Sequence, residues 1–295
     1  MTRSILAGLL AGALWGLVFV LPRLIPAFSS TEVTLGRYSV YGLIAVFACL
    51  SSWRSHRAAF TPALLGQALW LGLLGNVLYF TLLVFAVRWA GTGLTGLIIG
   101  TIPIWVMLLG RPKHLSFVAI VPGLLCTLAG LWLMHGAVAG QQAGSQFNAG
   151  VLCALAALLC WTAYAIFNAR FLQRQPALSN VVWTNALGLA TLLGTLPLFL
   201  LSEPGFLQRL NSSQGLAFIA ISLAMGGGAS WLATWLWNRA SQTLPTSLTG
   251  QLIVSETLFA LAYGYAYEQR WPGGMEWLAV ALFVLGISLS IRAHR

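Results

Sequence analysis

Long apolar runs alternate along the chain with short segments that carry basic and other polar residues. An α-helix needs about 20 mostly apolar residues to cross the hydrocarbon core of a bilayer. Runs of that length predict an all-α, polytopic membrane protein with ten transmembrane helices. The predicted spans are 4–26, 31–50, 64–87, 91–109, 116–135, 148–169, 178–201, 214–239, 244–266 and 272–292.

The middle of the chain holds a stretch that is too long for one helix. Leu115–Asn168 contains no Lys, Arg, Asp or Glu. A cluster of Gly, Gln and Ser within Gly136–Asn148 predicts a turn there. The chain therefore divides into 1–140 and 141–295, two halves with five predicted spans each, which we expect to form one integrated membrane domain.

The two halves resemble each other in sequence. ALWGLVFVLPRL in the first predicted span is similar to LCWTAYAIFNARFL in the sixth, which aligns Trp15 with Trp161. GLTGLIIGTIPIW in the fourth span is similar to SLTGQLIVSETLF in the ninth. Because five is odd, the second half enters the membrane from the opposite side. This pattern predicts the inverted repeat of secondary transporters, with a binding site near the middle of the membrane.

Composition and charge support the membrane assignment. Hydrophobic residues make up 59% of the chain and charged residues only 7%, whereas soluble domains carry about 25% charged residues. The net charge of +10 comes from Lys and Arg placed singly or in pairs between apolar runs. That placement encodes membrane topology and argues against nucleic-acid binding.

The basic residues also predict the orientation. Placing both termini in the cytoplasm puts ten basic residues inside and three outside, as the positive-inside rule requires. The predicted inner residues are Arg3, Arg54, Arg57, Arg111, Lys113, Arg170, Arg174, Arg239, Arg292 and Arg295, and the outer ones are Arg88, Arg209 and Arg270.

Glu256 lies in the middle of the ninth predicted span. An ionisable side chain at that depth costs several kcal/mol unless it faces a cavity or a partner. One interpretation is a proton site, a contact for a substrate amine or a gate. The other is a carboxylic acid that stays neutral and hydrogen-bonded within the core.

Aromatic residues suggest a cavity. Nine tryptophans fall near predicted span ends and are typical of the interfacial belt: Trp53, Trp70, Trp89, Trp105, Trp132, Trp183, Trp237, Trp271 and Trp277. The remaining tryptophans sit deeper, where an indole N–H needs a partner. Cavity lining and helix packing are both open for them. The candidate cavity residues are Trp15, Asn76, Tyr79, Trp161, Tyr164, Trp231, Trp235 and Glu256.

Glycines spaced by four occur in the first and fourth spans and allow close helix approach. They predict tight packing or a sliding surface, and Pro103 predicts a kink in the fourth span. The residues concerned are Gly8, Gly12, Gly16, Gly96 and Gly100. Arg37 lies about one turn inside the second span, where it either snorkels to the surface or pairs with a substrate carboxylate.

Signals for an enzyme are weak. The chain has no Asp, no HExxH motif, no P-loop and no metal-ligand cluster, and its four histidines fall at or beyond predicted span ends. We therefore expect no catalytic residues, no cofactor and no metal. An intramembrane enzyme that uses Ser230 and a membrane scaffold remain the alternatives from other classes.

The last third of the chain carries a family resemblance. Glu256–Ser290, ETLFALAYGYAYEQRWPGGMEWLAVALFVLGISLS, resembles the EamA-like exporters of the drug/metabolite transporter superfamily. That family has a Glu-Pro pair in its ninth span, an acidic turn after it and a Gly-rich last span. Glu256, Glu268 and Gly286 stand at those places, and Arg37 matches a basic residue of the family's second span.

The resemblance implies export of amino acids or other metabolites by alternating access, without ATP, across the inner membrane of a bacterium. Within the family, the aromatic-rich middle is similar to bacterial exporters of aromatic amino acids; multidrug or other metabolite efflux is the alternative. Thr257 stands in place of the ninth-span proline and Ile102 in place of a fourth-span glutamate. The expected partners are the lipid bilayer, a small-molecule substrate and, if transport is proton-coupled, protons; the oligomeric state stays open.

Overall fold

The structure, a computed structural model, describes residues 1–113, 115–135 and 146–294. In this part of the chain all regular structure is helical, which confirms the all-helical class. The main helices are α1 (Thr2–Leu24), α2 (Ser30–Ser51), α3 (Pro62–Ala90), α4 (Thr92–Gly100), α5 (Ile102–Leu109), α6 (Phe117–His135), α7 (Phe147–Arg174), α8 (Asn180–Leu200), α9 (Gly215–Thr243), α10 (Thr246–Leu252), α11 (Val254–Glu268) and α12 (Gly274–Ala293). Short helices Trp53–His56, Arg57–Ala59 and Phe206–Leu210 lie in the connections.

Among the described residues, seven helices are long and apolar enough to cross a membrane: α1, α2, α3, α7, α8, α9 and α12. The protein is thus a multi-pass membrane protein. Helix α6 is a shorter apolar helix, and the predicted fourth and ninth spans are each divided into two helices. Of the predicted turn Gly136–Asn148, residues 136–145 lie outside the described residues.

The two divided spans break at positions that the sequence explains. Between α4 and α5, Pro103 lies in the first turn of α5, where its missing N–H costs little, and the Thr101 hydroxyl donates to the Ile98 carbonyl at 2.7 Å. Between α10 and α11 the helix breaks at Ile253, and the Ser255 hydroxyl donates to the Leu252 carbonyl at 2.7 Å. Each break places a helix start near the middle of its predicted span.

Helices α3 and α9 each contain a π-helical segment, Leu73–Leu78 and Ala224–Leu232. Both segments include glycine, in LLGNVL and AMGGGASWL. The wider π turn changes the direction in which the following side chains point, and such segments are frequent at functional sites.

Glycines of α1 let it lie directly against the tenth and eleventh helices. A methyl group on Gly8 would meet the Leu252 side chain, and one on Gly12 would overlap the Ser255 hydroxyl and approach the Glu256 backbone nitrogen to 2.9 Å. By contrast, in α4 Gly96 has no atom within 4 Å of that position, and Gly100 meets only the end of the Leu131 side chain, at 2.9 Å. The close approach to another helix backbone therefore belongs to α1, and it fixes the height of Glu256 relative to that helix.

A fully buried polar network joins α2, α7, α8 and α9. The Asn168 amide nitrogen donates to Asn238 at 3.0 Å, and the Trp183 indole donates to the Asn168 oxygen at 2.8 Å. The Asn238 amide donates to the Thr184 hydroxyl at 3.1 Å, and the Tyr41 hydroxyl donates to the Thr184 carbonyl at 2.9 Å. Since every member is hydrogen-bonded, the network can hold these helices in register within an apolar surrounding.

We expect Asn168→Ala to lower the free energy of unfolding by about 1–3 kcal/mol, because it leaves the Trp183 indole and the Asn238 amide oxygen buried without partners. Thermal unfolding of the purified protein in detergent measures the change. Asn148→Ala is the matched control, since Asn148 is exposed on the same helix. Equal midpoints for the two variants would show that the network adds nothing to stability.

Candidate functional site

Three tryptophans from different helices meet within the bundle. The ring centroid of Trp15 lies 6.1 Å from that of Trp161 and 5.4 Å from that of Trp237, and the Trp161 and Trp237 centroids are 6.0 Å apart. Tyr164 joins the edge of Trp161 at 6.1 Å. Mutual edge and tilted packing of this kind is favourable for aromatic rings. We call Trp15, Trp161 and Trp237 the aromatic cluster.

The interfacial assignment of Trp237 and Trp183 is wrong. Trp237 is 1% exposed and belongs to the aromatic cluster, and Trp183 is fully buried in the polar network. The predicted span 214–239 placed Trp237 two residues from its end, but α9 continues to Thr243, which moves the residue well inside the helix. The sequence signal for a buried Trp183 was Asn168, because a polar residue within an apolar helix needs a buried hydrogen-bond partner.

Of the other predicted cavity residues, Tyr79 packs beside the aromatic cluster, together with Ile98 and Ile102. Tyr164 is buried against Gly75 in the π-helical segment of α3. Asn76 lies in the same segment, but its amide donates to the Thr191 hydroxyl of α8 at 2.7 Å. Asn76 therefore forms an interhelical hydrogen bond in this structure.

Two predicted cavity residues lie apart from the aromatic cluster. The Trp231 indole donates to the Asn185 side-chain oxygen at 2.8 Å, so its polar atom is satisfied by α8. The Trp235 ring has the Arg239 guanidinium 5.8 Å from its centroid. The spacing of four residues alone did not show that Trp237 rather than Trp235 faces Trp15.

Glu256 stands in the first turn of α11, beside the close contact between Gly12 and Ser255. The N-terminal turn of a helix favours a negative charge. Its side chain is partly exposed and forms no hydrogen bond or ion pair with the part of the chain that the structure describes. Tyr79 and Arg37 are close enough for Glu256 to interact with them electrostatically. The carboxyl group is therefore available to an ion or a solute.

Arg37 turns towards α9 instead of snorkelling. Its Nε donates to the Ser230 hydroxyl at 2.7 Å, and its Nη2 donates to the Ala229 carbonyl at 3.1 Å. Both acceptors belong to the π-helical segment of α9. The side chain of Arg37 stays partly exposed. Ser230, the candidate nucleophile of the alternative intramembrane enzyme, thus accepts a hydrogen bond from Arg37.

Along the ninth predicted span, the end formed by α10 is packed and the end formed by α11 is looser. Every residue of α10 is buried, whereas α11 is partly exposed from Glu256 to Gly264. At the packed end the Ser247 N–H donates to the Gly110 carbonyl at 3.2 Å, and the Ser247 hydroxyl lies 2.6 Å from the His294 ring. Glu256 lies where the buried α10 gives way to the partly exposed part of α11, and Ile253 between these helices packs in the same apolar cluster as the three tryptophans.

Ion pairs join the helix ends at the looser end. Arg23, at the end of α1, pairs with Glu268 at 2.9 Å, and Arg270 pairs with Glu268 at 2.9 Å and with Glu276 at 2.8 Å. The hydrogen bonds that Arg270 and Arg23 donate to Glu268 lower the pKa of that carboxyl, and the hydrogen bonds that Arg270 donates to Glu276 and Glu268 raise the pKa of Arg270. These residues connect α1, α11 and α12 across the rim.

Among the described residues, no group of three or more His, Cys, Asp or Glu side chains is placed to hold a metal ion. The distinctive features of the site are instead one arginine, one glutamate and a set of aromatic rings. Such a set suits binding of a small organic ion.

Comparison with known proteins places these features in context. Residues 148–292 match the EamA-like transporter family. The chain is 33% identical to "Inner membrane protein YtfF" of Escherichia coli, over 99% of this chain and 96% of that protein. It is 27% identical to "Uncharacterized transporter YwfM" of Bacillus subtilis, over 97% of this chain and 93% of that protein.

A crystal structure of another protein has the same fold. It superposes with a TM-score of 0.81 and 22% sequence identity, covering 100% of this chain and 98% of that one.

Proposed function

Because this chain belongs to the EamA-like transporter family, we propose that it is a secondary transporter that exports amino acids, aromatic ones preferred, across the inner membrane. Membership of this family implies that the protein transports small metabolites across a membrane. The amino acid specificity rests on one observation: partly exposed aromatic rings meet within the bundle, and a glutamate and an arginine stand on α11 and α2, which pack against the helices that carry Trp15 and Trp237.

The aromatic cluster supports the preference for aromatic side chains. Trp15, Trp161 and the neighbouring Tyr79 are each partly exposed although they come from three helices that meet inside the bundle. An aromatic side chain placed among them gains burial and edge or stacked ring contacts. A cationic amino group gains a further attraction to an aromatic face or to Glu256.

An inverted repeat of 1–140 and 141–295 is part of the proposal. Suppose that α1–α6 correspond to α7–α12 in order. The contact of α1 with α9 then corresponds to that of α7 with α3, and the contact of α2 with α9 corresponds to that of α8 with α3; all four contacts are present. The contacts between α2 and α8 and between α6 and α12 each map onto themselves, and both are present. The π-helical segments of α3 and α9 also occupy corresponding helices.

Alternating access is supported by the contacts that break this correspondence. Helices α5 and α10 pack closely at the packed end. Among the described residues, no comparable packing joins their counterparts α11 and α4. Likewise, α9 packs on α7, while α3 does not pack comparably on α1. In a transporter whose cavity is open to one side of the membrane, the helix contacts of the two repeats are expected to differ in this way.

The driving force and orientation complete the proposal. With both termini in the cytoplasm, the packed end faces the cytoplasm and the looser end faces outwards. Glu256 is the proposed proton site, and transport down the substrate gradient alone is the alternative.

Counterflow in proteoliposomes with radiolabelled Phe, Trp, Thr and Met tests the specificity. We expect Phe and Trp to exchange faster than Thr and Met, and Trp161→Ala to slow Phe exchange about fivefold to tenfold because the ring loses an aromatic partner. Trp271→Ala, a change at an 85% exposed position, is the control. Equal rates for all four solutes would remove the aromatic preference, and no exchange of any of them would remove amino acid export.

A further inference from the structure

We propose that Arg37 binds the carboxylate of the transported solute, so that the site selects solutes in which a carboxylate is attached to an aromatic side chain. This inference deepens the proposed function and rests on it for the location of the site. It adds a specificity-determining residue and explains how the site would distinguish an amino acid from an aromatic amine.

The first support is the number of donors that Arg37 keeps free. A guanidinium carries five N–H donors in a planar fork. Two are used, by the Ser230 hydroxyl at 2.7 Å and the Ala229 carbonyl at 3.1 Å. The remaining three, including both on Nη1, have no hydrogen-bond acceptor among the residues that the structure describes, although the guanidinium also lies 5.3 Å from the centroid of the Tyr38 ring. The two existing bonds hold the guanidinium plane in place and leave the Nη1 donors without an acceptor.

The second support is that no carboxylate of the described chain neutralises this arginine. Glu32 pairs with Arg209, and Glu268 pairs with Arg23 and Arg270. Glu256 acts on the same region electrostatically but lies beyond ion-pair distance. A partly buried guanidinium within a membrane helix is costly without a counter-ion, so a negatively charged ligand gains more from this position than from a fully solvated one.

The third support is the relation of Arg37 to the rest of the site. Arg37 comes from α2 and is fixed to α9, while Glu256 comes from α11 and is fixed through α1. Tyr79 packs beside the aromatic cluster, and the ring of the next residue, Phe80, lies 6.3 Å from that of Tyr38, the chain neighbour of Arg37. In the proposed complex the carboxylate of a zwitterion binds Arg37, its ammonium group faces Glu256 and its ring packs near Trp15. A carboxylate at Arg37 forms charge-assisted hydrogen bonds, which are the stronger class.

Binding of three related probes to the purified protein, measured by isothermal titration calorimetry, tests this assignment. The probes are L-phenylalanine, 3-phenylpropionate, which lacks the ammonium group, and phenethylamine, which lacks the carboxylate. For Arg37→Gln we expect about tenfold to a hundredfold weaker binding of the two carboxylates and a change within about twofold for phenethylamine. Ser230→Ala, which removes one bond that orients the guanidinium, should weaken carboxylate binding severalfold.

Control variants separate this effect from a folding defect or a general loss of charge. Arg23→Gln removes a positive charge at the rim and should leave all three affinities within about twofold. If Arg37→Gln does not fold, Arg37→Lys keeps a charge but loses the planar fork, and it should still weaken the two carboxylates more than phenethylamine.

Each outcome decides between the two proposals. Binding of 3-phenylpropionate that depends on Arg37, without binding of phenylalanine, would support Arg37 and remove amino acid export. Phenylalanine binding that Arg37→Gln leaves unchanged, or that falls equally with phenethylamine binding, would overturn the role of Arg37 and leave amino acid export standing. If the wild-type protein binds neither carboxylate, the role of Arg37 is also wrong.

Discussion

Replacing Glu256 with glutamine is expected to reduce transport driven by a pH gradient at least about tenfold, while Phe counterflow without a gradient continues. Glutamine keeps the shape and hydrogen-bonding capacity of the side chain but cannot take up or release a proton. Glu256 is the acid of this site, it stands deep in the bundle, and no other described group holds its carboxyl. Intramembrane acids of this kind are typical of proton pathways.

Proteoliposomes loaded with labelled Phe, assayed with and without an imposed pH gradient, measure both quantities. Glu203→Gln is the matched control, because Glu203 is exposed in the connection between α8 and α9. Proton-dependent efflux that persists undiminished in Glu256→Gln would rule out coupling at this residue and favour transport down the substrate gradient alone.

Replacing Gly12 with alanine is expected to destabilise the protein by about 1–3 kcal/mol or more and to abolish most transport. The added methyl would overlap the Ser255 hydroxyl and approach the Glu256 backbone nitrogen to 2.9 Å. Because the obstacle includes backbone, a side-chain rotation cannot relieve it. Helix α1 would have to separate from α11, which would also move Trp15 away from Trp161.

Thermal unfolding in detergent and Phe counterflow in proteoliposomes measure the two effects. Gly264→Ala in α11 is the control, since nothing lies within 4 Å of the added methyl. Gly96→Ala should behave like the control, because nothing lies within 4 Å of the added methyl, although Gly96 and Gly12 both belong to pairs of glycines spaced by four. A Gly12→Ala protein with wild-type stability and transport would show that the contact between α1 and α11 opens at no cost.

The central aromatic residues show how far sequence reasoning reached. The repeat between the halves brought Trp15 and Trp161 to attention, and their rings do meet at 6.1 Å. The third partner, Trp237, was missed because hydropathy ended its helix too early. The spacing of four residues instead singled out Trp231 and Trp235 as cavity candidates. Trp231 donates to Asn185, and Trp235 lies beside Arg239. Hydropathy reports burial in lipid or protein, and it does not report the rotation of a helix.

The sequence was enough to predict the membrane class, the approximate positions of the apolar helices and the exceptional position of Glu256. These properties follow from the composition of single segments, because each apolar run must be long enough to cross the bilayer and each charge within it is costly. The three-dimensional fold was needed to show which rings meet, which end of the ninth predicted span is packed and where Arg37 points. Those properties depend on contacts between distant segments, such as Arg37 and Ser230, which are 193 residues apart, and on the π-helical turn that sets the direction of side chains in α9.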